Sequence, residues 1–285
     1  MRRIGKILRP IVVSAFSFVA CFFLLQPLAV ALHPSFSLYA NRGAGKIALT
    51  VCVLAHVILF LMLTPTSFRQ RWYQKNISFF AQRAWIKNFL RMFSIFFMMH
   101  VGVLALCLGY NAAHYNPAWL NAVTWSRCGN AVFGFVATFF LAWTEELIFR
   151  GTLYLFFVDY LRPFSSALIT SLIFALAHDL TNPFNLITQH WQLGLGLFLL
   201  GMLLNLIFII AGNLYAGMGA HAGLVYVKVL LRRFPLIIFA PAGQNPYWIN
   251  KDLRQSLFIH ALFIVIISFL VIRYRHVLFT NQKDA

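Results

Sequence analysis

Apolar residues in this chain come in long unbroken runs, parted by short clusters rich in Lys, Arg, Pro and Asn. The runs lie at about 11–32, 46–63, 88–110, 129–158, 165–180, 193–211, 213–231 and 257–274. A hydrocarbon core about 30 Å thick takes roughly 20 apolar residues in helical form. Lipid admits only helices or closed barrels, because no water serves the backbone there. Runs that are continuous rather than alternating exclude the barrel. The pattern predicts an all-α fold, a polytopic transmembrane helical bundle with about eight spans. No repeat or soluble segment interrupts it, so 1–285 reads as a single transmembrane domain.

Two runs depart from the ordinary span. The 129–158 run would be about 45 Å long as a helix, so it must tilt or project beyond one face of the membrane. The 165–180 run is short and ends in His178-Asp179, followed by Thr181-Asn182-Pro183. A short span ending at a polar pair stops partway through the bilayer or at a protein-lined cavity. The first run follows Arg2, Arg3, Lys6 and Arg9 and exceeds the 7–15 residues of a signal-peptide core, which predicts an uncleaved span. Lys and Arg are in excess on the side of the N-terminus, which predicts both termini inside. The exception is the Lys228–Arg254 connection, with five basic residues on the opposite side and an apolar segment, Pro235 to Pro241, suited to a re-entrant or interfacial course.

Composition agrees with the pattern. Hydrophobic residues make up 61% and charged residues 10%, against 45–50% and about a quarter in soluble domains. The net charge of +17 would suggest nucleic acid in a soluble protein. Here the cations flank apolar runs and suit anionic membrane lipid, so no nucleic-acid partner is expected. Cys21, Cys52, Cys107 and Cys128 show no paired spacing and read as small hydrophobes. The location expected is a multi-pass membrane protein of the bacterial inner membrane.

Acids are scarce, and that scarcity marks the chemistry. The chain has six, and its only glutamates, Glu145 and Glu146, are adjacent inside the fourth run, in Thr144-Glu145-Glu146-Leu147-Ile148-Phe149-Arg150-Gly151. A carboxylate in mid-membrane costs about 2.5–3.5 kcal/mol even on lenient scales, so such residues default to functional sites. Glu146 and Arg150, four apart on a helix, share a face and can pair. Glu145 points about 100° away and needs a partner on another helix. Phe174 and His178 share a face at the end of the fifth run. In the seventh, the small residues Ala216, Gly217, Gly219 and Ala220 precede His221 and let neighbouring backbones approach. A Glu and two His on three helices can hold and deprotonate a water and stabilise an oxyanion. They can also ligate Zn²⁺ with one position open, or simply form a buried cluster that locks helices. No HExxH, GxSxG, Ser/Lys or paired-Asp arrangement offers another hydrolytic site.

At these residues the chain resembles the CPBP family of CAAX prenyl protease 2-like and bacteriocin-processing (Abi) intramembrane endopeptidases. The family pattern is EExxxR, then FxxxH, then HxxxN or HxxxD. Glu145 to Arg150 match the first motif, Phe174 to His178 the second, and His221 the start of the third. The resemblance covers 129–230 as a catalytic core. It implies a peptidase acting on a membrane-anchored, lipid-modified or leader-peptide substrate. Glu145 would activate water, His178 would orient it, and His221 would stabilise the oxyanion. Glu146 and Arg150 would position the helix, with Phe174 packed beside the site. The family has been described both as metalloproteases and as metal-independent glutamic proteases, and Glu145, His178 and His221 are the set compatible with Zn²⁺. One departure stands out: Val225 replaces the Asn or Asp four residues after the last His. Asn213 and Asn205 are the candidates to supply the missing oxyanion amide. The rival reading is a catalytically inactive relative acting as a membrane binding or bacteriocin-immunity protein.

Overall fold

Helices in this chain start and stop at residues whose chemistry starts or stops a helix. The structure, a computed structural model, describes residues 12, 42–77, 84–179, 185–240 and 252–280. Of the first predicted span only Val12 is among them, and the 181–183 breaker stretch lies outside them. The helices are α1 (Arg42–Leu63), α2 (Thr66–Asn76), α3 (Ala84–Gly109) and α4 (Trp125–Phe157), the last with a π turn at Phe149–Tyr154. They continue with α5 (Pro163–Leu176), α6 (Trp191–Ala211), α7 (Leu214–Arg233), α8 (Leu257–Arg273) and α9 (Arg275–Phe279). Thr124 caps α4 by accepting from the Arg127 amide, and Pro163 opens α5 where its missing N–H would be unpaired anyway. Gly212 ends α6 at φ 68°, a left-handed conformation that suits glycine. The next residue, Asn213, caps α7 by accepting from the Ala216 amide. A two-residue connection therefore turns α6 back into α7.

Among the described residues α3, α4, α6 and α7 are long and apolar enough to cross a membrane, while α5, α8 and the 54–63 part of α1 are shorter apolar helices. Four candidate spans and three shorter apolar helices among the described residues do not confirm the expected count of about eight. The 33 residues of α4 amount to about 50 Å, longer than its apolar run suggested. The chain packs as two units, 1–74 and 75–285. In the first, Phe60 meets Phe68 edge to face. The second contains the whole of the expected core.

Within that second unit α7 is central. Gly219 lies against the Phe89 carbonyl and Gly223 against that of Phe93, while His100 Nδ1 donates to the Leu224 carbonyl at 2.7 Å. These contacts advance together, so α3 and α7 run parallel. α4 packs antiparallel on α7, with Gly134 against Val229 at one end and Glu146 against Gly217 at the other. α5 is antiparallel to α6, where Asn205 Nδ2 donates to the Ala167 carbonyl and to Ser171 Oγ. The Pro-bounded segment after α7 supplies a strand, β2 (Ile237–Phe239), which pairs antiparallel with β1 (Ala113–Tyr115) beyond α3. Proline-flanked backbone cannot extend the helix, and its carbonyls still need donors. Asn116 provides two, from its amide to Leu236 and from its side chain to Pro235. Among the described residues the fold is helical with one small ribbon, which ties the C-terminal ends of α3 and α7.

Candidate active site

Helix periodicity places Glu146 and Arg150 one turn apart, and they pair: Arg150 Nη1 donates to Glu146 Oε1 at 2.9 Å, with both side chains fully buried. Arg150 Nη2 reaches across to the Gly201 carbonyl of α6 at 3.0 Å. Its guanidinium also lies 4.7 Å from the Phe174 ring centre on α5, a cation–π contact. One arginine thus joins three helices. Charge-assisted hydrogen bonds of this kind are what offset the desolvation of a buried pair.

His221 adds a third partner. Its Nδ1 lies 3.0 Å from Glu146 Oε1, and its Nε2 lies 3.7 Å from Glu145 Oε2. A single imidazole therefore stands between the chain's two glutamates. Gly217, one turn earlier on α7, makes the approach feasible, since a Cβ there would sit 2.9 Å from Glu146 Oε2. The small residues on either side of His221 accordingly do two jobs. Gly217 admits the carboxylate, and Gly219 and Gly223 admit α3. Glu146 does more than hold the helix, because it is the direct hydrogen-bond partner of the second histidine.

His178 sits in a 3₁₀ turn, Ala177–Asp179, directly after α5. The helix does stop at the polar pair. His178 Nδ1 donates to the Phe174 carbonyl at 2.8 Å, which leaves Nε2 as the acceptor of a neutral ring. The residue is exposed. Its ring packs 4.6 Å from that of Phe174, which in turn lies 6.3 Å from His221. Glu145, His221 and Arg254 all act on His178 through their charges. Phe174 is fully buried and is the apolar hub of the site, touching Phe149, Arg150, His178 and His221. Among the described residues Glu145 Oε2 and Glu146 Oε2 accept no hydrogen bond.

Near the site, Asp252 binds Lys228 Nζ at 2.7 Å and Arg254 through two oxygens. Burial raises the Asp252 carboxyl, but the hydrogen bonds from Arg254 and the charge and hydrogen bond of Lys228 outweigh it. The group is held well below the usual carboxylate range.

The remaining candidates go elsewhere. Asn213 lies eight residues before His221, about 12 Å along the helix, and its side chain bonds Ala216 and Ala211. Asn205 faces α5. Neither amide has a hydrogen bond to His221. Two other histidines have structural surroundings: His100 and His260 are buried and each bonds a backbone carbonyl. Cys107 and Cys128 are free thiols. Among the described residues no three His, Cys, Asp or Glu side chains converge as a metal ion requires. The Glu145, His178 and His221 set therefore does not fit Zn²⁺. Asn76, fully buried beside Gly151, was not foreseen, because nothing in the sequence links it to a motif 75 residues away.

The family described as type II CAAX prenyl endopeptidase Rce1-like matches residues 127–227, from the first turn of α4 to the later part of α7. That match covers about a third of the chain and is to the same CAAX-protease family that the three motifs resemble. No curated protein and no solved structure matches the chain.

Proposed function

We propose that this chain is an intramembrane endopeptidase that uses Glu145 to activate water against a peptide bond. Its substrate is a membrane-anchored or lipid-modified protein, or a leader peptide, and its site is the bacterial inner membrane. The observation that carries the reading is the placement of His221 between Glu145 and Glu146, beside a His178 whose Nε2 is left as an acceptor. Glu145 takes a proton from a water that His178 Nε2 orients. The water oxygen bonds to the substrate carbonyl carbon, and the carbonyl oxygen becomes an oxyanion. With Nδ1 hydrogen on Glu146, a protonated Nε2 of His221 can donate to that oxyanion. Collapse breaks the C–N bond, and the proton on Glu145 passes to the leaving amine. Arg150 holds Glu146 in line, so its part is positional.

Val225 favours a second reading, an inactive relative that binds a peptide or partner in the membrane, since it offers no donor beside His221. A comparison of protein termini in membranes from cells carrying wild type or Glu145→Gln separates the two. The substitution removes the base and nearly keeps the shape. The expected outcome is the disappearance of a small set of termini in the variant at equal expression. Identical termini, with the variant rescuing a deletion phenotype, would leave the binding reading in place.

A further inference from the structure

The π turn that contains Arg150, Phe149–Tyr154, is a wide, weakly favoured turn, of a kind that persists where something holds it. Two groups do so. Thr152 Oγ1 donates to the Leu147 carbonyl at 2.8 Å, and Asn76 Nδ2 donates to the Gly151 carbonyl at 3.1 Å. Asn76 is itself fully buried. Its own carbonyl accepts from Tyr215 Oη at 2.7 Å, in the first turn of the helix that bears His221. Next to it, Lys75 Nζ donates to the Gly212 carbonyl at the α6–α7 connection, 3.2 Å away. Gly151 is shaped to receive this side chain: a Cβ there would lie 2.7 Å from Asn76 Oδ1 and 3.0 Å from its Cγ.

We propose that Asn76, outside the matched 127–227 segment, is a positioning residue for the catalytic charges. It clamps the turn that contains Arg150 to the start of α7. Without the clamp the π turn can relax toward α geometry, which removes the extra residue and rotates one side of the turn against the other. Arg150 then loses its register on Glu146, and Glu146 its register on His221. The inference rests on the peptidase reading for its effect on turnover, and on geometry alone for its effect on His221.

Two measurements test it on the full chain in detergent. In cleavage assays Asn76→Ala should lower kcat about tenfold or more, as misplacement of a catalytic group does, with KM within about twofold. Gly151→Ala should lose as much, because its methyl displaces Asn76. The double variant should be no worse than Asn76→Ala, since the methyl then enters vacated space. Independently of activity, the ¹⁵N resonance of His221 Nδ1 should move in Asn76→Ala and in Gly151→Ala. An unmoved resonance, wild-type kcat, or losses that multiply in the double variant would overturn the proposal. Should Asn76→Ala fail to fold, Asn76→Asp removes the donor at nearly constant shape and carries the same two readouts. If no cleavage depends on Glu145, the peptidase reading falls and the His221 resonance alone decides the role of Asn76.

Discussion

At the scale of single residues, the chemistry turns on which nitrogen of each histidine is already committed. His178 gives Nδ1 to the Phe174 carbonyl, and His221 gives Nδ1 to Glu146. Each ring therefore offers only Nε2, one as an acceptor and one facing Glu145. Val225 is one helical turn after His221, on the same face, where an amide would be a second oxyanion donor. Loss or gain of one such donor changes turnover about 10²–10³-fold. Val225→Asn should thus raise kcat at least about tenfold, read by cleavage of a membrane-anchored reporter. Activity rising from none would identify the natural chain as the binding relative. No rise at all would mean that the oxyanion does not form beside this turn.

At the scale of elements, glycines set how closely helices approach. Gly223 brings α7 against the backbone of α3, and a Cβ there would lie 2.5 Å from the Phe93 carbonyl oxygen and 3.0 Å from the Phe97 amide nitrogen. Backbone atoms inside a helix cannot step aside cheaply, so Gly223→Ala should destabilise by about 1–3 kcal/mol, as overpacking does. Gly129, near the start of α4, has open space around its Cβ position and is the control. Its replacement by Ala should be neutral or stabilising, because it restricts only the unfolded chain. Thermal unfolding in detergent compares the two, and equal midpoints would show that α3 and α7 can separate without penalty. The small-residue run was legible as a packing face. Which glycine served which neighbour was not, since that depends on α3 and α4 arriving on different sides of α7.

At the scale of the whole molecule, the Lys228–Asp252–Arg254 bridge ties α7 to the turn ahead of α8. Asp252 is held below its usual range when folded and titrates near pH 4 when unfolded. The bridge therefore contributes fully above about pH 4, and its contribution is lost as pH falls below that. Asp252→Asn should flatten the acid limb of a stability–pH curve and leave the slope above pH 5 unchanged. An acid limb as steep as that of wild type would place the loss in other carboxylates. The sequence alone determined the long apolar helices, the pairing of Glu146 with Arg150, and the family resemblance of the 127–227 segment. These follow from local rules: unbroken apolar length, helical spacing, and motif order. Tertiary structure alone decided that His221 bridges both glutamates, that Asn213 and Asn205 serve other ends, and that Asn76 holds the turn that contains Arg150. Each of those depends on where a side chain from a distant segment lands, and no periodicity along one helix encodes the arrival of another.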